Sequence, residues 1–151
     1  MNIFEALRQS HDVQRTLSDR LIDLNQDTDQ RRQLFDQLKV ELAAHEAAEE
    51  RYFYMPVMEH DAGLDLSRHA IAEHHEMDEM VEDLEATDPS TPAWMSQAKA
   101  LAKKINHHTG EEEHKFFQMA GKILSDEQKN QLAIDYLAEM DKMKISLAES
   151  A

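Results

Sequence analysis

Apolar residues recur along the chain in steps of three and four, and polar breaks divide them into five runs. The first, from about Ile3 to Leu24, carries Phe4, Leu7, Leu17, Leu21 and Leu24. It stops at Asn25-Gln26-Asp27-Thr28, where Asp27 or Thr28 can cap the next helix. The second carries Leu34, Leu38, Leu42, Tyr52 and Phe53 and reaches Pro56, whose missing amide predicts a kink or an end there. His60-Asp61-Ala62-Gly63 reads as a loop. The third run starts near Ser67, shows Ile71, Met77, Val81 and Leu84, and closes at Thr87-Asp88-Pro89-Ser90-Thr91-Pro92. Thr91 as N-cap with Pro92 at the first helical position starts the fourth, marked by Leu101, Ile105, Phe116, Met119 and Ile123. Ser125-Asp126-Glu127-Gln128 is a capping box that opens the fifth, striped by Leu132, Tyr136, Met140, Met143 and Leu147. Four long helices joined by short loops predict an all-α, up-down-up-down antiparallel four-helix bundle, with an additional C-terminal helix across or beyond it.

Composition narrows the function classes. A length of 151 residues suits one domain over 1–151, with a bundle at about 3–122 and the extra helix at about 126–149. The net charge is −15, which repels phosphate backbones and argues against nucleic acid as a partner. Cysteine is absent, which excludes disulfides, a thiol nucleophile and Cys-type metal sites. No basic start followed by an apolar run marks a signal peptide, and no apolar stretch is long enough to span a membrane. The expectation is a cytoplasmic helical protein, a monomer or homodimer with no membrane partner. Nine histidines in so acidic a chain stand out.

Their spacing carries the chemistry. The chain repeats weakly at a period of 63: His11 maps to His74, His45 to His108, Glu49 to Glu112, Leu38 to Leu101, Leu42 to Ile105 and Phe53 to Phe116. The midpoints of His11/His45, His45/His74 and His74/His108 fall at 28, 59.5 and 91, each at a predicted turn. Antiparallel helices therefore bring all four histidines to one height. On the fourth helix Leu101, Ile105, His108, Glu112, Phe116, Met119 and Ile123 form one stripe. Leu34, Leu38, Leu42, His45, Glu49 and Tyr52 do the same on the second, and Ile71, His74, Val81 and Leu84 on the third. The first helix aligns Phe4, Leu7, His11 and Leu21, but Gln14 and Ser18 share that side. Four imidazoles and two carboxylates thus enter the core with no lysine or arginine on the stripes to neutralise them. A buried unpaired carboxylate costs several kcal/mol, and a metal removes that cost. Mixed imidazole and carboxylate ligation suits iron, zinc or manganese. Two carboxylates bridging two metals, with two terminal histidines on each, use every ligand.

Each residue also has a plainer reading. A lone histidine on an apolar stripe is more often a hydrogen-bonded core residue than a ligand; four at one level with two glutamates point to metal. His75 and His107 lie on solvated sides, His60 in a loop and His69 at the surface, where a weak ligand role is open. Of Glu111-Glu112-Glu113 only Glu112 fits the stripe. Tyr52, Phe53, Tyr54, Phe116 and Phe117 read as core or pocket wall, and the methionines as packing filler. The fifth stripe reads as packing or a dimer face.

The set His11, His45-x-x-x-Glu49, His74 and His108-x-x-x-Glu112 resembles the haemerythrin-like HHE cation-binding domains, over about residues 3–122. So does the text around it: His45-Glu-Ala-Ala-Glu-Glu-Arg-Tyr-Phe-Tyr-Met-Pro56, Glu73-His74 and His108-Thr-Gly-Glu-Glu-Glu. The resemblance implies a non-haem di-iron centre, with two Fe ions (Mn or Zn as alternatives), Glu49 and Glu112 bridging, and His11, His45, His74 and His108 as terminal ligands. It implies a protein that binds O2 or NO, or answers redox state, through the metal pair. The alternative is a di-iron enzyme acting on peroxide, O2 or NO, or an iron donor for damaged metal centres. The chain departs from oxygen-carrying haemerythrins, which have His-x-x-x-His on the third helix; here Asp78 stands four after His74. Their fourth helix carries His-x-x-x-x-Asp; here the fifth position after His108 is Glu113. Some family members use the acid directly after the second-helix histidine, here Glu46, although one residue turns a helix by about 100°.

Overall fold

The computed structural model describes residues 1–150. It contains α1 (Ile3–Leu21), α2 (Thr28–Glu49), a π turn at Glu50–Tyr54, α3 (Met55–Met58), α4 (Asp61–Glu85), α5 (Pro92–Glu111), a second π turn at Glu112–Phe116, α6 (Phe117–Ile123) and α7 (Asp126–Ser150). No strand occurs among the described residues. The two π turns sit inside continuous rods, so α2 runs on into α3 and α5 into α6. Four rods form the antiparallel bundle and α7 is the fifth, as the apolar pattern predicts.

The caps fall where side chains can satisfy the first amides. Asp27 accepts from the Gln30 amide at 2.8 Å while the Gln30 side chain accepts from the Asp27 amide at 3.0 Å. Asn2 and Glu5 make the same reciprocal pair at the start of α1. Thr91 Oγ1 accepts from the Trp94 amide at 3.3 Å, with Pro92 in the first turn. Ser125 and Gln128 cap α7 reciprocally at 3.1 and 2.8 Å.

Three boundaries differ from expectation. The first helix ends at Leu21, and Leu24, 68% exposed, lies in the turn beyond it. Pro56 does not end its rod. The π turn ahead of it already shifts the ladder, with the Met55 amide bonded to the Glu50 carbonyl, and the rod continues to Met58. The segment around Asp61 and Gly63 is helix rather than loop: α4 begins at Asp61, and only His60 adopts extended backbone. Gly63 is there because the chain folds tightly back; a Cβ would lie 2.5 Å from the Val57 carbonyl oxygen.

Side chains in the bundle stack in three layers. At one end Ile3, Phe4, Leu7, Phe53, Val57, Phe116, Phe117 and Ala120 form an apolar cluster, joined by Tyr136 and Met140 of α7. At the other end Leu21, Phe35, Leu38, Leu42, Met77, Leu84, Trp94, Leu101 and Ile105 form a second. His11, His45, Glu49, His74, His108 and Glu112 lie buried between them. Gln14 and Ser18, which break the first helix's stripe, are buried too. Ser18 Oγ donates to the Gln14 carbonyl at 2.7 Å, and Gln14 Nε2 donates to Ser10 Oγ at 3.2 Å. Ser10 donates to Glu41 at 2.9 Å, and Glu41 meets Lys144 of α7 at 2.7 Å. A polar seam therefore holds α7 against α1 and α2, the two helices it packs on.

Candidate metal centre

The four histidines meet at one level. Ring centroids are 5.2 Å apart for His11 and His45, 6.5 Å for His45 and His74, and 5.0 Å for His74 and His108. Every Nε2 faces a carboxylate: His45 and His74 lie 3.1 and 3.2 Å from Glu49 Oε1. His11 Nε2 lies 3.3 Å from Glu112 Oε1, and His108 Nε2 lies 3.5 Å from Glu112 Oε2. Two groups emerge whose ligand atoms lie within 4.8 Å of one another: His11, His45, Glu49 and Glu112, and Glu49, His74 and His108. Glu49 belongs to both.

Each Nδ1 is held from outside this ring. His11 Nδ1 lies 2.7 Å from Glu113, which Arg15 also grips at 2.6 Å. His45 Nδ1 lies 2.7 Å from the Tyr136 hydroxyl. His74 Nδ1 lies 3.4 Å from Glu50, and His108 Nδ1 lies 2.9 Å from Glu73. This is how metal-ligating imidazoles are oriented: the outer partner fixes the proton on one nitrogen and leaves the other lone pair free for a cation.

The pattern also leaves atoms stranded. His11 Nε2, His45 Nε2, His108 Nε2, Glu49 Oε2 and Glu112 Oε1 are buried with no hydrogen-bond partner. Such orphans cost about 1–3 kcal/mol each when nothing fills the gap. Five converging on one point, all imidazole nitrogens and carboxylate oxygens, fit a metal pair.

Electrostatics point the same way. Burial opposes charge on His11, yet its bonds to Glu112 and Glu113 win and raise its pKa to about 9. His74 is raised well above the usual imidazole range against the same burial, by Glu49 and Glu50. His45 is lowered, chiefly by burial. Burial opposes charge on Glu49, but His45, Glu112 and His74 hold it well below the ordinary range. Glu112 is pushed up to about 7, by burial and then by the Glu49 charge. The field at this centre thus favours positive charge, and two neighbouring carboxylates cannot both ionise cheaply without it.

Tyr54, read from sequence as core or pocket wall, is part of the centre. Its hydroxyl lies 2.7 Å from Glu49 Oε1, 2.5 Å from Glu112 Oε2 and 3.3 Å from His74 Nε2. The π turn explains it: one extra residue per turn puts Glu49 and Tyr54 on one face, where an α-helix would have brought Phe53. The second π turn starts at Glu112 itself. Glu113, read from sequence as off the stripe, is half-buried on His11, and Glu73, noted in the sequence only beside His74 and given no role, is buried on His108. Asp78 is exposed and, after burial, helps to raise the pKa of Glu46; neither joins the two groups. His75, His107 and His69 are exposed, as their helix sides predict.

The model of the hemerythrin HHE cation binding domain matches residues 2–120. The chain belongs to this family. A crystal structure of a hemerythrin HHE cation binding domain-containing protein from Mycobacterium kansasii superposes with a TM-score of 0.87 at 24% identity, covering 97% of this chain and 89% of that one. That likeness extends the shared fold through α7. A curated relative, a DNA nickase of Nostoc sp., is 29% identical over all 151 residues. This HHE chain spans 42% of that relative's length.

Proposed function

We propose that this HHE domain holds a carboxylate-bridged pair of non-haem irons and binds O2 or NO, or answers redox state, through it. The observation that carries the reading is the convergence of four imidazole Nε2 atoms on two buried carboxylates, with three of the nitrogens and two of the carboxylate oxygens otherwise unsatisfied. His11, His45, His74 and His108 serve as terminal ligands and Glu49 and Glu112 as bridges; manganese or zinc would suit the same donors. Bound iron supplies one-electron redox chemistry and affinity for diatomic ligands.

The residues around the donors set the conditions for that chemistry. Phe53, Phe116 and Phe117 close the centre from one end and Leu42, Met77 and Ile105 from the other, excluding bulk water. Glu113, Tyr136, Glu50 and Glu73 hold the imidazole tautomers. Tyr54 keeps a proton between the two carboxylates. Burial and then the charges of Glu112 and Glu49 push its pKa well above the usual phenol value, so it is a held donor rather than a phenolate.

That proton favours a second reading, an enzyme that acts on peroxide, O2 or NO at the same centre. A carrier or sensor gives a stable, reversible adduct; an enzyme consumes its ligand over many turnovers. Nicking of DNA is a poor fit to a chain of net charge −15.

The test is the number and identity of metal atoms per chain after purification without air. Two irons support the reading. Zero or one metal in a folded protein would sink the bridged pair.

A further inference from the structure

Outside the buried centre, α4 and α5 carry a second set of the same chemistry. His69 and Glu73 stand four apart on α4, and His107 and Glu111 four apart on α5. The α5 pair repeats the His-x-x-x-Glu spacing of His108 and Glu112, one residue earlier, so one rod presents the motif to two adjacent faces. His69 Nε2 lies 3.5 Å from Glu73 Oε1 and 3.3 Å from Glu111 Oε1. His107 Nε2 lies 3.0 Å from Glu111 Oε2 and 3.7 Å from Glu73 Oε2. Each imidazole therefore faces both carboxylates. His69 meets Oε1 of both carboxylates, and these three residues form a group whose ligand atoms lie within 4.8 Å of one another; a tetrahedral ion with bonds of about 2.0–2.1 Å sets its donors roughly 3.3–3.4 Å apart. His107 approaches the other oxygen of each, from the rim.

Access differs from the buried centre. The His69 and His107 side chains are 54% and 60% exposed, while Glu73 is 6% exposed. Glu73 joins the two sites, since its other contact is His108 Nδ1 at 2.9 Å. A narrow cleft walled by Leu66, Ala70 and Phe116 runs from His69 and Glu111 to His108 and Glu112. Lys104 touches Glu73 at 3.3 Å but also pairs with Glu76 at 2.5 Å, so a cation arriving at Glu73 would not strand it.

We propose that His69, Glu73 and Glu111, with His107 at the rim, form an outer site for a divalent transition-metal ion and serve as the port through which the buried centre is loaded. An imidazole with two carboxylates, and a second imidazole at the rim, gives the mixed donor set that suits Fe2+ or Zn2+ better than the all-oxygen shells of Mg2+ and Ca2+. The port role rests on the buried donors holding metal; the outer site does not.

The test uses the full chain and a double variant, His69→Ala with His107→Ala, which removes two exposed rings and leaves Glu73 on His108. Protein already loaded at the centre is titrated with Zn2+. The unmodified chain should take up one further ion, and the variant should bind it at least about 100-fold more weakly, more than loss of an outer-shell partner brings. Next, Fe2+ uptake into the metal-free chain is timed without air against a chromogenic chelator. The variant should load to the same final content but about 10-fold more slowly, because the carboxylates still attract the ion while the imidazoles that capture it are gone. No further Zn2+, or equal affinity in the variant, overturns the outer site. Equal loading rates overturn the port. A chain whose centre takes no metal fails the reading of the previous subsection, and the Zn2+ titration then still judges the outer ring by itself.

Discussion

Tyr136→Phe isolates the contribution of α7 to the metal centre. Tyr136 is fully buried, and its hydroxyl lies 2.7 Å from His45 Nδ1. When His45 binds a cation through Nε2, Nδ1 carries the proton and donates to that oxygen. Phenylalanine keeps the ring, which meets His45 edge-on at 5.9 Å, and deletes only the oxygen. The Nδ1–H is then buried without an acceptor, at a cost of about 1–3 kcal/mol. Loss of an outer-shell partner lowers metal affinity by about 10–100-fold, which corresponds to about 1.4–2.7 kcal/mol. The two figures agree in size, so the loss should show in metal affinity and not in the fold alone. Competition for Zn2+ or Fe2+ against a chromogenic chelator should show that loss. In a domain of this size each kcal/mol moves Tm by about 2–4 °C, so the loaded variant should also melt several degrees lower. Unchanged metal affinity, with Tm falling equally in loaded and metal-free protein, would refute the argument and reduce Tyr136 to packing.

Other expectations follow from the same geometry. Glu112→Gln should lower metal content to one ion or none per chain, measured by elemental analysis; two retained ions with an unchanged spectrum would reject it as a bridge. Chelation should lower Tm, because metal binding free energy at a folded site is folding free energy; superimposable melting curves would count against the centre. Glu46 is pushed by burial, and then by Asp78, from 4.5 to about 9. The unfolded chain ionises it above about 4.5 while the folded chain does not, so it costs stability progressively as pH rises toward 9. Glu46→Gln should therefore raise Tm at pH 8 and leave it unchanged near pH 4; a gain independent of pH would contradict this. Gly63→Ala should destabilise by about 1–3 kcal/mol through overpacking while leaving metal content intact.

The bundle was legible because its signals are local. Thr91-Pro92, Asp27 with Gln30 and Ser125 with Gln128 announce helix starts through their own amides, and the stripes that reach His45, His74 and His108 keep a helical period up to the π turns. The six central residues could be found because ligands must lie on the buried face. Tyr54 could not, since the π turn after Glu49 shifts the face by one residue and no spacing rule signals it. Glu113, Glu73 and Tyr136 were hidden for another reason. They approach the imidazoles from the side, so they sit beside the stripes or on a different helix. The start of α4 was obscured by Gly63, which marks a close approach to Val57 rather than a loop.

The layered core has a kinetic consequence. Helix termini fray in any bundle, and a site near an end would leak its ion each time they did. Here both ends are plugged, by the Phe4, Phe53, Phe116 and Phe117 rings on one side and by Leu38, Leu84, Trp94 and Leu101 on the other. Fraying at either terminus therefore stops short of the ligands. An ion must escape sideways, between rods that stay packed along their whole length, so its residence time is set by lateral breathing of the bundle and not by unravelling of its tips.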